Sequence, residues 1–474
     1  MNRIRPRDTL SIGKKILTKI RTIPLLGSAL AAVLFAAGLS APLPAGNEGA
    51  AAENFNAAAA CPPLPPPAGQ TVNVSTVSAL ESAVNNASPG DTILVADGVY
   101  ALDGVYLRLD TTDVALRSAS GDREAVVLDG NYITTEIIQI VASGVTVADL
   151  TLREAYNHPI HVMSSESSDT LDTLIYNVHI VDPGEQAVKI NPVPGGYYTD
   201  DGVIACSHIE LTDAGRPFIR NNCYTGGVDA HQSWGWTIRD NRIEGFWCES
   251  GLSEHGVHLW TGSRDTIVER NLLLDNARGI GFGLVTSGSG RVYPDDPCPE
   301  AGGSYVDHYA GVVRNNFILA QDSGLFSSAS GFDCGICLSN ACQAKALHNT
   351  VYTFEPENTF SAIEWRFPNS IVEISNNLAN EAFFERDGAS AGQVGNLTNA
   401  QAGWFLNPAA ADLHLAATAS AVIDLAAPIG DVFDDFDGDL RPAGPGPDIG
   451  ADEYGGVPFE PTAFLHLPVL RTSN

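Results

Sequence analysis

Two short segments, GVDAH at residues 227–231 and GVHLW at 256–260, place Asp229, His231, His258 and Trp260 at alternating positions. AVKIN at 187–191 does the same for Lys189 and Asn191, and PIHVM at 159–163 for His161 and Met163. Alternation by two puts such residues on one face of an extended strand. As neighbouring strands about 4.8 Å apart, the segments align His161, Lys189, Asp229 and His258 in one column and Met163, Asn191, His231 and Trp260 in the next. An ammonium, a carboxylate and two imidazoles stacked this way suit removal of a proton next to an electron-withdrawing group. An imidazole is the base, the carboxylate orients it, and the cation offsets the developing charge. Asp229, one strand from both Lys189 and His258, keeps Lys189 protonated and raises the basicity of His258. Lys189 is then a charge neutraliser rather than a base, and His231 sits diagonally, about 8 Å between backbones from its neighbours. Any one of these residues alone reads as part of a solvated face. Lys189, Asp229, His231 and His258 together read as a functional site.

Such columns need elements that repeat in register. From Val72 onward the chain alternates short β-branched runs with Gly, Asn and Asp, and the longest helical periodicity is Val77 to Asn85. A polar residue followed by alternating apolar ones recurs at Asp149, Asn177, Ser207, Asn241, Asn271, Asn316, Asn349 and Asn377, at spacings of 28, 30, 34, 30, 45, 33 and 28. Each interval holds one further short strand, starting at Pro159, Ala187, Gly227, Gly256, Gly279, Gly324 and Ala362. These small starting residues predict a shallow outward trough, with Gly281, Phe326 and Glu364 continuing the first column and Gly283, Ser328 and Arg366 the second. One coil cannot bury its own apolar face, so coils stack, with Val, Ile and Leu columns inside and Asn ladders at the corners.

The 474 residues carry 26 Lys plus Arg against 56 Asp plus Glu, a net charge of -30. That balance argues against nucleic acid or an anionic membrane as partner, since phosphates need clustered positive charge. Seven basic residues before the apolar run Leu25 to Leu39, with small residues near Ala41 and Ala45, predict an export signal at 1–46. Its removal leaves a chain at -36 with no membrane span. An Ala/Pro-rich linker that does not pack is expected at 47–70, the β-helix at 71–400, a closing segment at 401–455 and a short sorting or anchor tail at 456–474. All eight Cys lie in the exported part, which favours disulfides. Cys206 with Cys223 and Cys248 with Cys298 are the expected local closures, and Cys334, Cys337 and Cys342 suit a disulfide-pinned loop better than zinc.

With these repeats the chain resembles right-handed parallel β-helix proteins of the pectate-lyase-like kind. LESAVNNASPGDTILVADGVY (Leu80 to Tyr100) is similar to the opening coil of that superfamily, where a short amphipathic helix caps the end. DDFDGDLRPAGPGPDIGADEY (Asp434 to Tyr454) is similar to a closing motif of exported bacterial β-helices. The resemblance implies an all-β, single-stranded right-handed parallel β-helix solenoid with a short N-terminal capping helix, secreted or held at the cell surface. GGVDAHQSWGWTIRDNRIEG followed by EHGVHLW is similar to the Asp-Pro-His motif and following rungs of mannuronan C5-epimerases and related carbohydrate-binding β-helix domains. This implies proton abstraction by His231, with Asp229 as the motif Asp, in β-elimination or C5 epimerisation of a uronate. Ala230 stands in place of the Pro, Gln232 in place of an acid, and Thr261 where an Arg is expected, with Arg264 the nearest substitute.

Several readings stay open beside that one. Polysaccharide lyases of this fold often use a Lys base, an Arg acid and calcium, which casts Lys189 and Arg278. His161, Asn191, Trp260, Arg278 and Glu254 are expected to bind substrate, and Trp234 and Trp236 to stack on sugars or pack under loops. Hydrolysis of a neutral glycan needs two carboxyls roughly 6.5–9.5 Å apart. A flat sheet puts Asp229 and Glu254 about 14 Å apart, leaving hydrolysis to Asp200 or Asp201. Asp435, Asp437 and Asp439 have the density of a calcium loop, with a charge-paired turn through Arg441 favoured. The charge of the exported chain opposes a polyuronate within the screening length of about 8 Å. A non-catalytic surface or adhesion protein is the rival from another class.

Overall fold

The computed structural model describes residues 61–456; the expected export signal and the tail beyond Gly456 lie outside the described residues. Successive coils feed three long sheets, two of ten strands and one of fourteen, and the pairing is parallel from coil to coil. Together they form the right-handed parallel β-helix. One ten-stranded sheet carries the predicted columns. Its strands are β1 (Leu107–Leu109), β2 (Glu136–Ile140), β3 (His158–Met163), β4 (Gln186–Asn191), β5 (Gly226–His231), β6 (Val257–Trp260), β7 (Arg278–Phe282), β8 (Phe332–Ser339), β9 (Thr359–Arg366) and β10 (Phe383–Arg386). On the inside of β2–β9, Ile138, Ile160, Val188, Val228, Val257, Ile280, Ile336 and Ile363 stand in register and are all fully buried. Each such side chain contributes about 1.5–3 kcal/mol. Helix α1 (Val77–Asn85) buries Leu80 and Val84, and Thr76 caps it by accepting from the Ala79 N–H at 3.1 Å. Among the described residues no helix is long and apolar enough to cross a membrane.

A polar ladder holds one corner. Ser207 N–H donates to Asn241 Oδ1, and Asn241, Asn271, Asn316, Asn349 and Asn377 each donate a backbone N–H to the carboxamide of the next coil, ending at Asn396, over 2.9–3.2 Å. Their Nδ2 groups bond the same oxygens and neighbouring carbonyls. The residue before each ladder position turns the corner with positive φ: Cys206, Asp240, Arg270, Asn315, His348 and Asn376 lie between 50 and 59°. Asp149 and Asn177 belong to this left-handed column, one residue before the ladder, which therefore begins at Ser207 and gains Asn396.

Four expectations change. The segment at Gly324 is a helix, α2 (Ser323–Ser327), because Asp322 accepts from the Gly324 N–H at 2.8 Å and caps it. Strand β8 takes that rung, so Cys337 and Ser339 replace Phe326 and Ser328 in the columns. The small residues face the core rather than an outward trough. A Cβ at Gly227 would stand 2.8 Å from Ile243 Cγ2 and one at Gly335 2.6 Å from Val351 Cγ1, so the strands enter the sheet pressed against the adjacent one. The described end of the linker does pack: the carbonyls of Pro62 and Pro65 accept from Tyr176 at 2.6 Å and Arg117 at 2.8 Å, and Leu64 lies against Ala148, Tyr176 and Ala205. A Pro-rich strand has unpaired carbonyls to offer to side chains of several coils. The disulfides are Cys61–Cys206, Cys223–Cys248, Cys298–Cys342 and Cys334–Cys337. In a solenoid, residues half a coil apart lie on opposite sides. Cys206 and Cys223 therefore do not meet, whereas Cys223 and Cys248, 25 residues apart, come together from successive coils.

Residues 401–456 close over the outward side of the second ten-stranded sheet. Leu272, Leu274, Phe317 and Leu319 of that sheet form a second core with Phe405, Leu413, Val422, Phe436 and Ile449. Arg441 is buried within the segment, donating to Glu453 at 3.1 Å and to the Asp448 and Ala451 carbonyls. Asp435 accepts the N–H groups of Asp437, Asp439 and Glu453, and Asp437 pairs with His414 at 2.9 Å. Arg441 is thus charge-paired with Glu453, and both oxygens of Asp435 are turned to backbone donors.

Two predictions follow from this packing. Asn316→Ala strands the buried Asn271 N–H and takes the Nδ2 donor from the Val268 and Arg314 carbonyls, each buried group left unpaired costing about 1–3 kcal/mol, so unfolding in denaturant should show a loss of at least about 2 kcal/mol. Burial and neighbouring acids push Asp435 up to about 8 and Asp452 up to about 6. His414, opposed by burial but hydrogen-bonded to Asp437, rises to about 10. All three are raised, so their contribution is complete below the ordinary values of about 4 and 6.5 and is lost as pH rises through the folded ones. Exchange protection of the Leu415 and Asp435 amides, corrected for intrinsic rate, is expected to fall from pH 5 to pH 8.

Candidate functional site

Strands β3–β6 pair His161 with Lys189, Lys189 with Asp229, Asp229 with His258, and His231 with Trp260, the predicted register. Asp229 is buried and is the hub of the cluster. Its Oδ2 is bonded by Lys189 Nζ, and its Oδ1 accepts from Trp260 Nε1 at 2.9 Å and lies 3.8 Å from His258 Nδ1. Burial works to raise the Asp229 pKa, yet the Lys189 ammonium beside it holds it well below the ordinary carboxylate range. Burial works to lower Lys189, and Asp229 and Tyr224 hold it above its ordinary value. Lys189 is thus held as a cation against Asp229.

Lys189 Nζ also lies 2.8 Å from His231 Nε2 and 3.2 Å from the Tyr224 hydroxyl. An ammonium has only hydrogens to give, so His231 Nε2 and the Tyr224 oxygen both accept. This places the free hydrogen of His231 on Nδ1 and leaves the phenolic hydrogen of Tyr224 available to a ligand. Burial, reinforced by Asp229, pushes the Tyr224 phenol above its ordinary value and keeps it a donor. His231 retains 22% side-chain exposure against 2% for Asp229. Its ring stands 4.6 Å from that of Trp260, which stacks on His258 at 5.0 Å. Solvent therefore meets His231, Tyr224 and Trp260, with the charged pair beneath them.

The remaining predicted residues divide. His258 is fully buried and stands between two carboxylates, with Glu254 Oε2 3.3 Å from Nδ1. The two acids are no further apart than these contacts laid end to end, about 7 Å, well inside the 14 Å of the flat-strand estimate. The flat-strand distance runs from backbone to backbone, whereas Glu254, held just ahead of β6 by its N–H bond to the Thr225 carbonyl, reaches forward with its side chain to His258 four residues on. Both acids contact the same His258 Nδ1 and are largely buried, Asp229 at 2% and Glu254 at 19% side-chain exposure. Glu254 is lowered against the effect of burial by His258 and Arg278. Arg278 is buried behind it, donating twice to the Ser253 carbonyl at 3.0 and 2.6 Å, so the Lys189 and Arg278 casting loses its acid. His161 is paired at 2.8 Å with both Glu136 and Asn191 and forms a second polar patch beside Lys189. Arg264 sits on a different sheet, bound to Asp295 at 2.8 Å and over the Trp234 ring, and does not replace the missing arginine. Asp200 is held by Arg291 at 2.6 Å, which ties the segment after β4 to the loop after β7. Trp236 is a core residue, its Nε1 bonded to the Thr199 carbonyl. A cavity of about 300 Å³ lies within the loop around Tyr293 and Tyr305, and no member of the Lys189 cluster lines it.

With this geometry the chain can be set beside known proteins. No protein-family model matches it, and no curated protein does. Among solved structures, pectate lyase Pel9A is 12% identical over 81% of this chain and 96% of its own, at a TM-score of 0.54. The likeness shows the parallel β-helix fold. An alginate lyase from Paenibacillus sp. str. FPU-7 is 16% identical over 69% of this chain and 97% of its own, at a TM-score of 0.46, too distant to bear on the chemistry.

Tyr224 is the site residue that the columns did not reveal. It precedes β5 in a loop whose path is set by the Cys223–Cys248 disulfide, and only the two flanking cysteines hint that residue 224 is pinned. Lys189→Met would strand the buried Asp229 carboxylate, which costs about 3–5 kcal/mol. Denaturant unfolding should show that loss, and Asp229→Asn added to it should restore at least half.

Proposed function

We propose that the exported chain binds an acidic polysaccharide across β3–β6 and removes a proton next to a uronate carboxylate, as a lyase or C5-epimerase does. The observation that carries this reading is the convergence of a partly exposed imidazole and a phenol on one buried ammonium–carboxylate pair. In the free protein the lone pair of His231 Nε2 is covered by Lys189. A substrate carboxylate that draws Lys189 Nζ toward itself uncovers that lone pair next to the acidified C5–H. Nε2 takes the proton, Lys189 balances the enolate-like charge, and the Tyr224 hydroxyl supplies a proton either to the leaving oxygen or to the opposite face of C5. The first outcome is elimination and the second epimerisation. Asp229 takes no proton; it holds Lys189 charged and Trp260 in place.

A non-catalytic saccharide-binding surface is the second reading. It is favoured by the full pairing of Lys189 within the protein and by the net charge of -36 after export. Export itself belongs to the proposal, and the four disulfides support it.

Mature protein incubated with polyuronates and glycosaminoglycans, with and without calcium, should generate the unsaturated-uronate absorbance or exchange C5 hydrogen with deuterated solvent. His231→Ala and Tyr224→Phe are each expected to lower the rate by about 10²–10⁴ with the fold unchanged. Absence of both signals on every substrate, with glycan affinity equal in parent and His231→Ala, leaves the binding surface as the function.

A further inference from the structure

The second ten-stranded sheet, which does not carry Lys189, has an outward column of its own. Its strands Thr151–Arg153, His179–Val181, His208–Glu210 and Arg242–Glu244 pair in sequence and set His179 opposite His208 and Glu210 opposite Glu244. The two imidazoles stack with centroids 4.6 Å and planes 6° apart. Both direct Nε2 toward Glu210, at 2.9 Å from His179 and 3.9 Å from His208, and Glu244 lies 2.6 Å from His208 Nε2. On the far side of the first ring, Glu124 is 3.0 Å from His179 Nδ1. A carboxylate there accepts the Nδ1 hydrogen, the way the outer nitrogen of metal-binding histidines is held, and turns Nε2 to Glu210; in the ion-free protein Nε2 donates its hydrogen to that carboxylate, and a bound ion takes the hydrogen's place. Arg123 holds Glu124 in turn, at 3.0 Å.

The donor atoms of His179, His208 and Glu210 all lie within 4.8 Å of one another. Their side chains keep 16, 21 and 22% exposure, so an ion reaches them without any coil opening. Two imidazole nitrogens with carboxylate oxygens and no thiolate suit a borderline divalent ion, bound at about 2.0–2.2 Å. We propose that His179, His208 and Glu210, with Glu244 beside them and Glu124 as a positioning residue, bind a zinc-class divalent cation. The ion joins side chains of successive coils and neutralises a carboxylate pair that Arg242, forked on Glu244 at 2.7 and 2.6 Å, offsets only in part.

The test is calorimetric titration of chelator-treated mature protein with Zn²⁺ alone at pH 7.5, with X-ray absorption on the loaded sample. One equivalent is expected, with two imidazole nitrogens on the ion. It should be lost in His208→Gln, weakened about 10–100-fold in Glu124→Gln, and kept in His414→Gln, which disables the separate group formed with Asp437 and Asp452. Glu124 is 56% exposed, so its variant keeps the test decisive should His208→Gln fail to fold. No uptake by the parent chain, equal uptake by all four proteins, or loss confined to His414→Gln overturns the assignment.

Discussion

From Asn271 onward each ladder asparagine accepts, on one carboxamide oxygen, both the backbone N–H and the side chain of the asparagine one coil earlier. That bond can form in only one register, because a slip of one residue would turn the carboxamide outward and an apolar side chain into the corner. The corner in turn fixes where each strand of the neighbouring sheets begins. Coil-to-coil alignment of Lys189, Asp229 and His258 depends on strands that all start in step, and the ladder runs through two of the coils concerned, at Ser207 and Asn241. A small repeating polar contact thus sets the geometry of a distant charged cluster.

Within that frame the cluster is an exercise in desolvation. Burying one carboxylate in a sheet costs several kcal/mol unless it is paired and hydrogen-bonded. Asp229 meets the requirement with an ammonium and an indole N–H, with the His258 imidazole 3.8 Å away. The same contacts keep Lys189 charged and leave the exposed polar work to His231 and Tyr224. Position along the strand separates the environments: alternate residues of β5 give a buried acid and, two residues later, an accessible imidazole.

The parallel coil was legible because stacking imposes the same constraint on every turn, so Val and Ile recur inside and Asn at the corner wherever one looks. The columns of β3–β6 were legible for the same reason, since no insertion falls within those strands. Reading failed where the repeat is interrupted. The loop before β8 contains a helix that imitates the small-apolar strand pattern at Gly324, and only the capping contact of Asp322 separates the two. Glu254 and Tyr224 lie on loops whose course depends on backbone bonds and a disulfide to neighbouring coils, which no periodicity announces. Cys206 and Cys223 were misread as a pair because closeness in sequence was taken for closeness in space, whereas Cys223 meets Cys248 from the next coil and Cys206 is reached by Cys61 of the N-terminal strap. The inward turn of the small residues was missed because simple alternation does not hold where a strand enters the sheet from a bend.

The proline strap at residues 61–66 has a mechanical consequence. A one-dimensional array comes apart from its ends, since a terminal coil has a neighbour on one side only. Here the chain ahead of the capping helix runs back along the outside, gripped by Arg117, then Tyr176, and locked to Cys206. The first coils are therefore laced to one another from without and cannot peel away singly. Fraying at this end becomes an all-or-none event that involves several coils together, and a pull on the chain ahead of Cys61 passes through the disulfide to the coil of Cys206 instead of unwinding the cap.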